Sequence, residues 1–262
     1  MLAACAREMH SCAMSNPFEA GGANYAAHRP TYPPALASAL AGLVAEHSCA
    51  VDVGCGSGQL SVLLADHFDQ VIALDPSQSQ LSGAEPHARV SYQVSPAEAL
   101  PLSDASANLI TAAQAAHWFD RPKFYREVQR IAAPGAALAL ITYNNAVVEA
   151  EALEPIIALY YALDPWWRPE REDVETAYAR FEFPFERLAF EAGQIERYWD
   201  FAAMKAYLET WSALRLAREA GEGAMIDKHM AVAAEAWGQG MRQVIWPVTV
   251  LAGRVRQEER LK

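Results

Sequence analysis

Short apolar runs alternate with segments of helical periodicity between residues 48 and 143. Five of these runs have the length and composition of strands: AVDV (50–53), VIALD (71–75), VSYQV (90–94), NLIT (108–111) and ALALITY (137–143). Between them, apolar residues recur at the three- and four-residue spacing of one helix face. Strands and helices that alternate in this way form βαβ units, with a parallel sheet covered on both faces. The pattern therefore predicts an α/β fold.

The helix before the fifth run has a recognisable start. Asp120 can accept a hydrogen bond as an N-cap, and Pro122 lies in the first turn, where proline is tolerated. Phe124, Val128 and Ile131 then fall on one face. We expect this face to pack against the sheet.

Beyond Tyr143 the pattern becomes mainly helical, with an aromatic-rich segment at 147–163 and helical stretches near 200–218 and 224–237. QIERYW (194–199) and QVIWPVTVLAG (243–253) have strand patterns, and proline in the second places it at or near a sheet edge. Charged helix faces such as REDVE (171–175) are interpreted as solvated surface. The expected organisation is a weakly ordered extension at 1–15, a core at 16–143, a mainly helical region at 144–240 with one core strand near 194–199, and a final core strand and C-terminus at 241–262.

Composition excludes several classes of protein. Hydrophobic residues make up 52% of the 262 residues and charged residues 20%, and no apolar stretch approaches the length of a membrane span. The formal net charge of −11 has the wrong sign for binding phosphate backbones, so we expect no nucleic-acid partner, and the lack of an apolar span predicts no membrane partner. The four cysteines form no CxxC pair and are expected to be free thiols of a cytoplasmic protein.

The stretch VDVGCGSGQL (51–60) places three glycines at alternate positions between a strand and a helix. Such a turn lets backbone approach a ligand closely and aims helix N-terminal N–H groups at it. Gln59 occupies the position where the dinucleotide fingerprint requires glycine. Asp52 precedes the glycines, and Asp75 follows 21 residues after Gly54, where a carboxylate can bind both hydroxyls of a ribose. A nucleoside that carries an amino acid would offer a cationic amine to Asp52 and ribose hydroxyls to Asp75. A ligand with a pyrophosphate has no such amine.

This stretch, together with Asp75, resembles motif I and its acidic partner in class I S-adenosylmethionine (SAM)-dependent methyltransferases. SPAEALPL (95–102), AAQAAHWFD (112–120) and PGAALALITY (134–143) resemble later motifs of the methyltransferase type 11 group. NYAAHRPTYP (24–33), YLETWSA (207–213) and WPVTVLAGR (246–254) are similar to a subset that includes trans-aconitate methyltransferase-like enzymes. The resemblance implies a Rossmann-like fold with a mostly parallel seven-stranded sheet, helices on both faces and a helical cap insertion.

The resemblance also implies SAM as cofactor and S-adenosylhomocysteine as product. No cluster of His, Cys, Asp and Glu has metal-ligand spacing in the sequence, so we expect no metal. According to the resemblance, the three glycines line the methionine part of SAM, Asp52 lies near its amino group, and Asp75 binds the ribose. A lid over SAM comes from the segment before the first strand, and the adenine is met after strand three, where Pro96 replaces an acidic residue common in the relatives. The cofactor-binding residues expected in this way are Tyr25, Arg29, Asp52, Gly54, Gly56, Gly58, Asp75, Pro76, Ala97, Glu98 and Gln114.

Four residues are candidates for the acceptor side of the site. His117 follows strand four, where a histidine could deprotonate an acceptor hydroxyl or amine as a catalytic general base. It could equally orient a loop or contact SAM. Trp118, Tyr143 and Trp211 could line a substrate pocket, although aromatic residues at such spacings more often belong to the core.

The sequence thus predicts a SAM-dependent methyltransferase acting on a small-molecule acceptor, with a carboxylate as one candidate. A carboxylate would need no base but would want a cationic partner, for which Arg29, Arg168 and Arg215 are available. An NAD-dependent oxidoreductase and a non-catalytic SAM-binding regulatory protein remain alternatives. We expect a monomer or a weak homodimer.

Overall fold

The structure is a computed structural model that describes residues 29–256. The expected extension at 1–15 and the lid residue Tyr25 lie outside the described residues. Within them the chain forms an eight-stranded sheet. The strands are β1 (Cys49–Val53), β2 (Gln70–Asp75), β3 (Val90–Val94), β4 (Ala107–Ala113), β5 (Ala132–Tyr143), β6 (Glu186–Leu188), β7 (Gln194–Trp199) and β8 (Arg242–Arg254).

The first five strands form the parallel part of the sheet. The strand order is β3-β2-β1-β4-β5-β8-β6, and every pair among the first five strands is parallel. β8 runs antiparallel to β5 and carries β6 and β7 on its other side. β8 therefore lies one strand in from the edge. Pro247 is the last β8 residue paired with β7, and the pairing with β5 begins at the next residue, which is where a missing N–H is tolerated.

Nine α-helices accompany the sheet in the described part of the chain. The first four helices are α1 (Pro34–Ala41), α2 (Gln59–Leu64), α3 (Gln78–Leu81) and α4 (Arg121–Ile131). The later ones are α5 (Ala150–Ala162), α6 (Arg171–Glu175), α7 (Phe201–Leu208), α8 (Ser212–Glu219) and α9 (Gly223–Trp237). α4 begins as expected, because the Asp120 side chain accepts a hydrogen bond from the backbone N–H of Lys123. None of the described helices is long and apolar enough to cross a membrane.

Both faces of the central strands are buried, and successive residues of these strands alternate between two cores. In β5, Ala137 and Ala139 pack into one core, while Leu138 and Leu140 pack into the other. The first core contains residues of α1, α2, α5, α7, α8 and α9, and the second contains the apolar face of α4 and Val174 of α6. β1, β4 and β5 are buried on both sides, which explains why their runs are mostly continuous apolar sequence, whereas β3 is largely exposed.

The α/β fold class is confirmed, with three differences in detail. The sheet has eight strands rather than seven because the three-residue β6 pairs with the end of β8. The helical stretch near 200–218 is two helices, α7 and α8, which are separated by a turn at 209–211. The interpretation of the charged face at 171–175 as solvated surface holds for Glu172 and Glu175, which are exposed, but not for Asp173, which is half-buried and forms an ion pair with Arg121.

Candidate functional site

The candidate site lies at the edge of the sheet where the parallel strands end. β1, β2, β4 and β5 end at Val53, Asp75, Ala113 and Tyr143. Because their directions are parallel, the loops that follow them gather at one edge, which is where open α/β sheets bind ligands. The glycine loop, Asp75 at the end of β2 and the segment with His117 are thereby brought together.

The glycine loop has left-handed backbone at all three glycines. The φ angle is 70° at Gly54, 57° at Gly56 and 79° at Gly58. A Cβ atom on Gly54 would lie 2.4 Å from the Cβ of Ala115, and one on Gly58 would lie 2.4 Å from the hydroxyl oxygen of Tyr92. The loop therefore needs glycine for backbone conformation throughout, and for close packing at its two ends.

Asp75 joins β2 to this loop. Its Oδ2 accepts a hydrogen bond from the backbone N–H of Gly56 at 2.9 Å, and its Oδ1 accepts one from Ser77 at 2.8 Å. Burial raises the pKa of Asp75, while these two hydrogen bonds oppose the increase. A carboxylate has about four lone-pair positions, so each oxygen can still accept a further donor from a ligand. Pro76, which follows, is exposed.

Asp52 lies beneath the loop and is 1% exposed. Its Oδ2 accepts a hydrogen bond from Ser61 Oγ at 2.6 Å, and its Oδ1 accepts one from Thr111 Oγ1 at 2.8 Å. Asp52 thus ties β1 to α2 and β4. Burial raises its pKa to about 6, with a smaller increase from the charge of Asp75.

The residues predicted to meet adenine follow β3. Ala97 is buried, and Glu98 Oε1 accepts a hydrogen bond from the backbone N–H of Asp120 at 2.8 Å. Glu98 therefore connects the loop after β3 to the N-terminus of α4. This places both residues at the correct edge of the sheet, and their contact with adenine stays a prediction.

Gln114 bridges the ends of β4 and β5. Its Nε2 donates to the backbone oxygen of Tyr143 at 2.7 Å, and its Oε1 accepts from Thr142 Oγ1 at 3.0 Å. The backbone of Gln114 is left-handed, with φ of 52°, a conformation that costs free energy for a residue with a side chain. Gln114 is thus held firmly between two strands, and a direct cofactor contact stays a prediction.

His117 lies in the short 3₁₀ turn after β4, in a half-buried position. Its Nδ1 is 3.0 Å from the hydroxyl of Tyr178, and its ring packs against Trp118. Burial lowers the pKa of His117 to about 3, and the guanidinium groups of Arg171, Arg121 and Arg29 add to the decrease. An imidazole with this pKa stays neutral near pH 7 and is a weak base, which argues against proton abstraction by His117.

The sequence patterns did not identify Arg171 and its hydrogen-bond partners as residues near the site. Its Nη2 donates to the side-chain oxygens of Asn144 at 3.0 Å and Asn145 at 2.6 Å, and its Nε donates to Tyr160 at 3.1 Å. Arg171 therefore fastens the helical region to the end of β5. The polar pair directly after an apolar strand was a usable signal, whereas nothing in the sequence singles out Tyr178.

The predicted substrate residues have different environments. Trp118 is half-buried, with the guanidinium of Arg168 6.0 Å from its ring centroid. Tyr143 is 5% exposed and meets the ring of Tyr32 edge-on. Trp211 is 4% exposed and packs in an aromatic cluster with Tyr160, Trp167 and Tyr207. Of the three, Trp118 has the most surface left for a ligand.

Two further predicted residues are arginines. Arg29 lies over the ring of Tyr207 at 5.5 Å, which brings the end of the expected lid segment to α7. Arg215 forms an ion pair with Glu219 one turn later on α8. In residues 29–256 no group of three or more His, Cys, Asp or Glu side chains could hold a metal ion.

Comparison with known proteins finds similarity to methyltransferases. Residues 51–140 match the family model described as a methyltransferase domain. A candidate methyltransferase of Dictyostelium discoideum is 33% identical over 203 residues, which cover 76% of this chain and 77% of that protein. The structure of a candidate type II methyltransferase from Anaeromyxobacter dehalogenans superposes with a TM-score of 0.80 at 39% identity and covers 88% of this chain and 99% of that one.

A more distant structure agrees in fold alone. The crystal structure of a candidate methyltransferase from Bacillus halodurans has a TM-score of 0.51 at 16% identity and covers 85% of this chain and 99% of that one.

Proposed function

The chain belongs to the class I SAM-dependent methyltransferase family, and on this basis we propose that it transfers the methyl group of SAM to a small carboxylate acceptor. The observation that supports the carboxylate is the half-buried guanidinium of Arg168 beside Trp118. In residues 29–256 no acidic side chain forms an ion pair with it. A guanidinium in such a position favours a planar anion.

The glycine loop and Asp75 fit the cofactor that the family uses. A Cβ atom added at Gly56 would meet only Gln80 Oε1 at 3.8 Å, so the middle of the loop has open space beside its backbone for a ligand. In the proposal the three glycines line the methionine part, Asp75 accepts hydrogen bonds from the ribose hydroxyls, and Arg29 binds the methionine carboxylate. The proposed adenine contacts come from the loop after β3, through Ala97 and Glu98, and Pro76 lies beside the ribose.

The low pKa of His117 also favours an acceptor that is already ionised. The pKa of His117 is lowered to about 3, so this residue would not remove a proton from an alcohol or amine at neutral pH. A carboxylic acid has an ordinary pKa of about 4 and loses its proton in solution. Such an acceptor brings its own nucleophilic oxygen.

The chemistry then depends mainly on positioning. SAM supplies an electrophilic methyl group on a sulfonium centre. The acceptor oxygen must approach this methyl carbon in line with the bond from carbon to sulfur. In the proposal Arg168 orients the acceptor carboxylate, and Trp118 limits its movement. The helical region at 144–240, fastened to the core through Arg171, excludes water. Positioning and water exclusion can account for several kcal/mol of barrier reduction without a base.

Transfer of a labelled methyl group from SAM to a panel of small carboxylic acids tests this proposal. Uncharged amides of the same acids serve as matched acceptors. We expect turnover with one or more acids and none with the amides. Turnover restricted to amines or alcohols would contradict the carboxylate, and SAM binding without turnover on any acceptor would favour a regulatory protein.

Arg168→Ala tests the assignment of the acceptor-binding residue. Loss of a charge-assisted hydrogen bond should raise the KM for the acid by about 10- to 100-fold, with SAM affinity unchanged. Arg180→Ala is the matched control, because Arg180 is exposed and pairs with Glu172 on the surface. Equal KM values for the two variants would show that Arg168 does not bind the acceptor.

A further inference from the structure

A buried side-chain amide borders the open space beside the glycine loop. Gln80, in α3, is 6% exposed. Its Oε1 lies 3.8 Å from the position that a Cβ atom on Gly56 would take, and no other described atom outside Gly56 and its two chain neighbours comes within 4 Å of that position. A ligand that approaches the middle of the loop therefore meets the Gln80 side chain.

The position of Gln80 is tied to that of Asp75 through Ser77. The backbone N–H of Ser77 donates to Asp75 Oδ1 at 2.8 Å, and Ser77 Oγ accepts from the backbone N–H of Gln80 at 3.4 Å. The other oxygen of Asp75 accepts from the backbone N–H of Gly56 at 2.9 Å. Asp75 and Gln80 thus border the same part of the loop, and Ser77, which is 4% exposed, fixes their relative position.

The side chain of Gln80 has unused hydrogen-bonding capacity. An amide carries two N–H donors and one oxygen acceptor. Within residues 29–256 the Gln80 amide hydrogen-bonds no side chain and no backbone group, although its own backbone N–H is paired. Buried polar groups are normally paired, because an unpaired one costs free energy that an apolar side chain would not. The unpaired amide therefore indicates a ligand group in the space beside Gly56.

The chemistry of that group follows from its two neighbours. The ionised carboxylate of Asp75 can only accept, so the ligand group must donate to it. A cationic amine donates but cannot accept, and it would leave both N–H donors of Gln80 unpaired. A hydroxyl donates its proton to Asp75 and keeps lone pairs that accept from Gln80 Nε2. Two adjacent hydroxyls, as in a ribose, fit this pair of side chains.

We propose that Gln80 is a cofactor-binding residue whose side-chain amide hydrogen-bonds the ribose hydroxyls that donate to Asp75. This assignment rests on the ribose position in the proposed function, and it is independent of the acceptor. Gln80 and Asp75 together select a ribose with both hydroxyls free.

Calorimetric titration of the full-length protein with S-adenosylhomocysteine and with its 2′-deoxy and 3′-deoxy derivatives tests the assignment. The wild type should bind at least one deoxy derivative about 10- to 100-fold more weakly, because a hydrogen bond to a carboxylate is lost. If both derivatives bind as tightly as S-adenosylhomocysteine, the ribose position itself is wrong, and the role of Gln80 is overturned with it.

Gln80→Leu separates the two claims. This variant should bind S-adenosylhomocysteine about 3- to 10-fold more weakly than the wild type, and the loss caused by removing a hydroxyl should shrink by a similar factor, because that hydroxyl has lost one partner. The same loss in the variant as in the wild type would overturn the role of Gln80 and would leave the ribose position intact. Gln80→Glu keeps the size of the side chain but has no N–H donor and adds a charge beside Asp75, so it should bind more weakly still.

Thermal unfolding without ligand distinguishes binding from a structural role. Because Gln80→Leu removes an unpaired buried amide, its Tm should equal or exceed that of the wild type while its affinity falls. A lower Tm with unchanged affinity would contradict the proposal. Gln78→Leu is the matched control, since Gln78 is an exposed glutamine of the same helix, and it should bind all three ligands as the wild type does.

Discussion

The carboxylate of Asp75 accepts a hydrogen bond from the backbone N–H of Gly56 at 2.9 Å, and this contact joins the end of β2 to the middle of the glycine loop. Two features separated by 19 residues thus form one unit at the edge of the sheet. The loop presents backbone to a ligand, and the carboxylate beside it retains capacity to accept hydroxyl donors.

Asp75→Ala should therefore weaken SAM binding by about 10- to 100-fold, because two charge-assisted hydrogen bonds to the ribose and the support of the loop are lost together. Calorimetric titration measures the affinity. Asp66→Ala, at an exposed position on the same domain, is the matched control. If the variant bound SAM with the same affinity as the wild type, Asp75 would not be a ribose-binding residue.

The glycines of the loop should differ in their tolerance of alanine. Gly56→Ala meets nothing nearer than Gln80 Oε1 at 3.8 Å, so it should cost only the left-handed backbone term of about 1–2 kcal/mol. Gly54→Ala adds a contact of 2.4 Å with Ala115 and should cost about 1–3 kcal/mol more. Urea unfolding checks both values, with Gly83→Ala as a control that lacks positive φ. Equal losses at Gly54 and Gly56 would show that the loop yields to accommodate a side chain.

Ala177→Gly should stabilise the protein. Ala177 follows α6 with φ of 52°, and the N–H groups of Ala177 and Tyr178 donate to Val174 and Asp173 in the arrangement that usually places glycine at this position. Relief of the left-handed strain exceeds the entropy cost of glycine, for a net gain of about 0.5–1 kcal/mol in the free energy of unfolding. Thermal unfolding measures it. Ala179→Gly, two residues later, should instead be neutral or destabilising, and a loss at both positions would contradict the explanation.

Asp52→Asn should gain stability relative to the wild type as the pH rises. The pKa of Asp52 in the folded protein is about 6, above the ordinary value of 3.8. A carboxyl group whose pKa is raised by folding stabilises the fold while it is protonated, and that contribution is lost as the pH rises through about 6. The difference between variant and wild type should therefore grow by about 2–3 kcal/mol between pH 4 and pH 8.

Urea unfolding of Asp52→Asn and wild type across this pH range provides the measurement. Because other groups titrate in both proteins, the difference between the two isolates Asp52. Asp66→Asn controls for removal of an exposed carboxylate. A difference that is flat with pH would contradict a raised pKa at Asp52.

The sequence predicted those features of the fold that depend on local pattern. The five apolar runs, the helix that opens at the glycines and the cap at Asp120 are all present, because each is determined by residues close together in the chain. β6 was not predicted, since three residues carry no periodic signal and its pairing with β8 is made by the tertiary fold.

The candidate site was predictable only where a motif states the chemistry. The glycine loop and Asp75 could be read from their spacing, and their contact is now seen directly. Arg171 was read as solvated because it lies in a run of charges, yet it is half-buried and bonded to residues 26 and 27 positions earlier. Partners of that kind depend on how the helical region packs on the sheet, which no local pattern records.

Calorimetric titration of the purified protein with SAM, S-adenosylhomocysteine and NAD tests the central claim most directly. We predict saturable binding of SAM and S-adenosylhomocysteine, and none of NAD, because Gln59 stands where a dinucleotide loop requires glycine. Binding of NAD alone would contradict the account and would redirect the function to hydride transfer.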